Sequence, residues 1–121
     1  MTATYLAVLV LSASFHMASA DCFNRLGQQW SDRGNARWHV DRACFGYDNQ
    51  AGAFQGYFNP GEEKRACINV GHNVRYDFII KNENTQQGFD LADSDCRDKL
   101  NNEINGCDTG GSSTIAGWTF T

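Results

Sequence analysis

Five cysteines within about a hundred residues constrain this chain more than any other feature. They are Cys22, Cys44, Cys67, Cys96 and Cys107, and no two are spaced as CxxC. Only His39 and His72 share their part of the chain. A zinc site needs clustered thiolates or imidazoles, so this spacing implies disulfides and no metal. An odd number leaves one thiol free, or bonded to another molecule, or short of a sixth cysteine that the chain has lost. With one left out, fifteen connectivities stay open.

The first twenty residues are of another kind. Tyr5 to Phe15 (YLAVLVLSASF) carries no charge, and Ala18-Ser19-Ala20 follows it with the small-x-small pattern that signal peptidase cleaves. The run is too short to span a bilayer as a helix. Residues 1–20 are therefore expected to be a signal peptide, with the mature chain starting at or near Asp21 and secreted into an extracellular, oxidising setting. No Lys or Arg precedes the apolar run, so only the amino terminus supplies the usual positive charge. The alternative is a buried N-terminal helix, which fits poorly with the abrupt change to polar residues after Ala20. Residues 21–121 suffice for a single domain, and a core of that size commonly needs cross-links.

Ten basic residues stand against fourteen acidic ones, a net charge of −4 with no basic run. That balance disfavours nucleic acid and anionic membrane as partners. No Asn-x-Ser/Thr sequon occurs, and no nucleophile elbow, paired-carboxylate spacing or metal motif supports a hydrolase or a cofactor.

Periodicity predicts a helix over Asn35–Phe45, with Ala36, Val40, Ala43 and Cys44 on one face, Asn35 or Ser31 as its cap and Gly46 at its end. Trp38 then lies about 160° from Val40, on the charged side with Arg42. Alternation predicts strands over Ala53–Asn59, Arg65–Val70 and Val74–Lys81, joined by short turns into an antiparallel meander. Asp90–Asn105 reads as a second helix, with Cys96, Leu100, Glu103 and Ile104 on one face. Ile115–Thr121 reads as a final strand with Ala116, Trp118 and Phe120 facing one way. The fold class is α+β, a small antiparallel sheet flanked by helices. The chain stops while its last strand still runs, so the C-terminus reads as truncated.

The segment Cys96-x-x-x-Leu100-x-x-Glu103-Ile104-Asn105-Gly106-Cys107, with Gly110-Gly111 and Gly117-Trp118-x-Phe120 after it, resembles the fungal secreted lectin-like proteins of the Y-three type, known from a mushroom. Asp21-Cys22-Phe23, Gln29-Trp30, the position of Cys44 and the stretch from Phe54 to Cys67 are similar too. The resemblance covers essentially all of residues 21–121. It implies an αβα sandwich, secretion by a fungus, and non-catalytic binding of N-acetylhexosamine-containing glycans or glycoproteins. Members of that family continue to one further cysteine, so the resemblance points to Cys107 as the orphan.

Sugars present apolar C–H faces rimmed by hydroxyls, and proteins meet them with an aromatic ring flanked by amides and charges. Three places combine both: Trp38 with Arg37, Asp41 and Arg42; Tyr47 with Asp48 and Asn49; and Tyr57 with Gln55 and Asn59. The bland readings are that a loop covers Trp38 and that 47–49 is an ordinary polar loop. Trp30 and Trp118 are expected in the core, and Glu103 as a buried or rim carboxylate engaged by its neighbours. Two other classes stay open. One is a small secreted ribonuclease with His39 and His72 as acid and base. The other is a small secreted effector or toxin directed at a host protein.

Overall fold

The computed structural model describes residues 21–23, 29–71 and 73–121. The expected signal peptide (1–20) and His72 lie outside the described residues. In chain order the elements are β1 (Asp21–Cys22), α1 (Arg33–Phe45), β2 (Tyr57–Phe58), β3 (Glu63–Gly71), β4 (Val74–Asn82), β5 (Phe89–Asp90), α2 (Asp93–Gly106), β6 (Gly111–Ile115) and β7 (Trp118–Phe120). Among the described residues the class is α+β, as the sequence implies, with two helices, two small antiparallel sheets and two disulfides.

Helix α1 forms where the apolar stripe of Ala36, Val40, Ala43 and Cys44 can be buried together. Its cap is Asp32 and not Asn35 or Ser31: the Asp32 carboxylate accepts from the Asn35 N–H at 3.0 Å. Gly46 ends it as expected, at φ +81°, donating its N–H to the Arg42 carbonyl. Helix α2 begins at Asp93, three residues later than the sequence suggested, because Asp90 is engaged in β5. Asp93 and Asp95 occupy its first turn, where the helix dipole favours negative charge. Cys96, Leu100, Glu103 and Ile104 form its buried face.

The main sheet runs β1-β6-β7-β4-β3. The β3–β4 hairpin is the expected one, in register from Glu63↔Lys81 to Asn69↔Arg75, with a shift before the last pair, Gly71↔Val74. Tyr76, Phe78 and Ile80 of β4 and Phe120 of β7 face the helices and join their buried stripes in one core. On the opposite face, Arg65, Cys67, Arg75 and Asp77 are exposed. Phe58 of β2 is buried edge-on against Trp118, with ring centroids 5.0 Å apart, and brings the small β2–β5 sheet onto one end of that core.

Two strand assignments need correction. Residues 53–59 are not a third strand of the meander: only Tyr57 and Phe58 are extended, and they pair with β5. The preceding residues instead fold against the end of α1, where Phe54 N–H bonds the Ala43 carbonyl at 3.0 Å. Phe54 and Phe58 are both buried, so a loop residue and a strand residue together mimic alternation. Residues 115–121 are likewise not one strand. Ala116 and Gly117, both at positive φ (52° and 85°), reverse the chain between β6 and β7 in a two-residue turn. Trp118 and Phe120 do face the core, and Ala116 is exposed at the turn.

The disulfides are Cys22–Cys107 and Cys44–Cys96, and Cys67 is the free cysteine. This overturns the orphan status of Cys107. That residue follows α2 directly, buried beside β1, with its Cα 5.3 Å from that of Cys22. Cys67 sits on the outward side of β3, where no other cysteine can reach it. Among the described residues no helix is long and apolar enough to cross a membrane.

Candidate functional site

The helical phase that buries Val40 turns Trp38 outward, and its side chain is 53% exposed. Arg42, one turn further along, lies with its Cζ 4.4 Å from the Trp38 ring centroid. Just past the helix, Gly46 redirects the chain so that Tyr47 returns over the same guanidinium, with its ring centroid 3.6 Å from Cζ. The result is a stack of Trp38, Arg42 and Tyr47, of the cation–π kind. His39 meets the edge of Trp38 at 4.8 Å between centroids and lies 6.3 Å from Tyr76 of β4. Burial and, after it, the charge of Arg42 hold the His39 pKa below the ordinary imidazole range.

Beside the stack is a cavity of about 380 Å³ between α1, the 51–53 loop and β3. His39, Arg42 and Tyr47 form one wall, and Ala66, Cys67 and Ile68 form the other. The floor is fixed by the loop that follows α1. Tyr47 and Gln50 exchange backbone hydrogen bonds across Asp48 and Asn49, both at positive φ, as a tight two-residue turn requires. Gly52 donates its N–H to the Gln55 side chain, whose amide in turn donates to Asp93 of α2. A Cβ on Gly52 would sit 2.2 Å from the Ala43 carbonyl oxygen, so only glycine permits this approach.

The structure thus brings together Trp38, Arg42 and Tyr47 from the sequence candidates. Asp41 is exposed on α1 and does not line the cavity, and Asn49 is exposed at the tip of its turn. Arg37 hydrogen-bonds the Asn105 side chain of α2 at 2.7 Å. Tyr57, 59% exposed, stands apart on β2 with its ring against Gly88. Its supposed companions are committed elsewhere, Gln55 to Asp93 and Asn59 to Glu62. Cys67, expected only as a disulfide candidate, lines this cavity as a free cysteine, its thiol pKa raised first by the hydrogen bond with Asp77 across the hairpin. Sequence reasoning missed Gly52, for which the glycine itself was the available signal.

A second cavity, of about 200 Å³, lies between Phe23, Trp30, β4 and the end of α2. Its aromatic rings already pack on one another, Trp30 on Tyr76 at 5.4 Å and stacked on Phe78 at 6.1 Å. Glu103, 2% exposed, accepts a hydrogen bond from the Ser113 hydroxyl there. Trp30 donates its indole N–H to the Cys107 carbonyl at 2.9 Å. These contacts are core contacts, as expected for Trp30 and Glu103.

Comparison of the chain with models of known protein families, with curated proteins and with solved structures finds no match.

Proposed function

We propose that this is a secreted, non-catalytic glycan-binding protein, and that the Trp38–Arg42–Tyr47 stack with its adjoining cavity holds the sugar. The observation that carries the reading is the stack itself. Two aromatic side chains remain 53% and 39% exposed although a guanidinium fixes their orientation. A ring held rigidly at the surface offers a sugar's C–H face a platform with little ordering entropy left to lose. The cavity beside it supplies depth and polar groups for the hydroxyl rim. Secretion is supported by the N-terminal apolar segment and by the two disulfides. The resemblance of residues 96–120 to a lectin-like family favours N-acetylhexosamine-containing glycans as the ligand class.

The test is a glycan array probed with the mature protein, expressed through an oxidising secretory route. A focused set of hits reversed by free sugar is the expected result. Trp38→Ala should then weaken the best hit by about tenfold while leaving the thermal unfolding midpoint nearly unchanged, since the lost ring is a surface one. A flat array from a folded sample overturns the reading.

A further inference from the structure

An arginine carries five N–H donors fanned in the plane of its guanidinium. The other arginines among the described residues all have acceptors. Arg33 reaches the Ile104 carbonyl and Asp108, Arg37 reaches Asn105, Arg65 reaches Glu63, Arg75 reaches Asp77 and Arg97 reaches Asp98. Arg42 makes no side-chain hydrogen bond or ion pair with any described residue. Asp41 beside it and Asp48 in the following turn do not pair with it. Its guanidinium lies over the rings of Trp38 and Tyr47, cation–π contacts that take up none of its N–H groups in a hydrogen bond to an oxygen or nitrogen.

Position adds to this. Arg42 is half-buried and lines the cavity, and among the described residues no aspartate, glutamate or lysine lines that cavity with it. His39, the other titratable base on the wall, is held toward its neutral form. Among the described residues, the recess therefore presents one cation, flanked by rings and with no counter-charge on its lining. A planar fork of that kind matches a carboxylate, whose two oxygens accept two parallel N–H bonds. A neutral hydroxyl accepts more weakly and uses less of the fork.

Resting on the glycan-binding reading, we propose that the site selects saccharides bearing a carboxylate. Arg42 takes the acid group in a bidentate pair, and the C–H face of the sugar lies against the exposed ring of Trp38. The net charge of −4 gives no long-range attraction for an acidic ligand, so selectivity resides in this one contact.

The experiment is titration calorimetry of the mature protein with two matched pairs: sialyl-N-acetyllactosamine and its methyl ester, and a glucuronate–N-acetylglucosamine disaccharide and its methyl ester. Each ester keeps the shape of its acid and removes the charge. In at least one pair the acid should bind about tenfold more tightly than the ester, the margin expected of a charge-assisted hydrogen-bond pair. Arg42→Gln should bring acid and ester to near parity, and Arg42→Lys should restore only part of the preference because an ammonium lacks the fork. Equal affinities within both pairs, with neutral hits on the array, overturn acid selectivity and leave the lectin reading standing. Failure of every glycan to bind overturns both. If the Arg42 variants do not fold, the wild-type comparison of acid with ester still decides.

Discussion

At the scale of single residues, His39 carries a consequence for stability. Its imidazole is wedged between Trp38 on its own helix and Tyr76 of β4, with Arg42 one turn away. In the unfolded chain it titrates near its ordinary value of 6.5, and in the folded chain below that. Between those two pH values the unfolded state holds a proton that the folded state refuses, so stability falls as pH drops through the window beginning near 6.5. Urea unfolding at a series of pH values should show this as a decline on acidification that is shallower in His39→Gln. Parallel curves for the two proteins would remove His39 as its source. The orientation of Trp38 was legible in the sequence, because helical phase places it opposite a stripe that must be buried. The contact between Arg42 and Tyr47 was not. It depends on how Gly46 redirects the chain, and that geometry is set by the loop packed behind it.

At the scale of elements, the segment after α1 is the part that periodicity misread, and its reason is testable. Residues 46–55 wrap the last turn of α1, closing its orphan carbonyls through the Gly46 and Phe54 N–H groups. Gly52 presses so close that a methyl group would meet the carbonyl oxygens of Ala43 and Arg42 at 2.2 and 2.6 Å. Those are backbone atoms and cannot swing aside, so Gly52→Ala must push the loop off the helix. A destabilisation of about 1–3 kcal/mol in urea unfolding is expected, the range of overpacked sites. Glycan affinity should fall with it, since the same loop walls the cavity. A variant as stable as the parent would show that the loop accommodates the methyl. The β6–β7 turn was obscured by a similar coincidence. Ala116, Trp118 and Phe120 keep a two-residue rhythm, yet the reversal falls inside it, at an alanine held at positive φ. Both helices and the β3–β4 hairpin were legible because one long, well-phased pattern determines each.

At the scale of the whole molecule, two cross-links hold a small core together, and they do so unequally. Chain entropy alone hardly distinguishes them. Closing separations of 52 and 85 residues contributes roughly 4 kcal/mol in either case. Their surroundings differ. Cys44 and Cys96 are each 1% exposed and tie α1 to α2 inside the core, whereas Cys22 is exposed and ties the two-residue strand β1 to the end of α2. A thiolate must reach a disulfide sulfur to open it, so the outer bond is accessible in the native state and the inner one only after the helices part. Under mild reduction with a dithiol, alkylation and peptide mapping should find Cys22 and Cys107 labelled while Cys44 and Cys96 remain joined. The same asymmetry governs replacement. Cys44→Ala with Cys96→Ala should cost more stability than Cys22→Ala with Cys107→Ala, because the first pair also leaves a void between the helices. Simultaneous opening of both bonds would mean that β1 is held as firmly as the core, and that the molecule unfolds as one cooperative unit from its N-terminal strand to its centre.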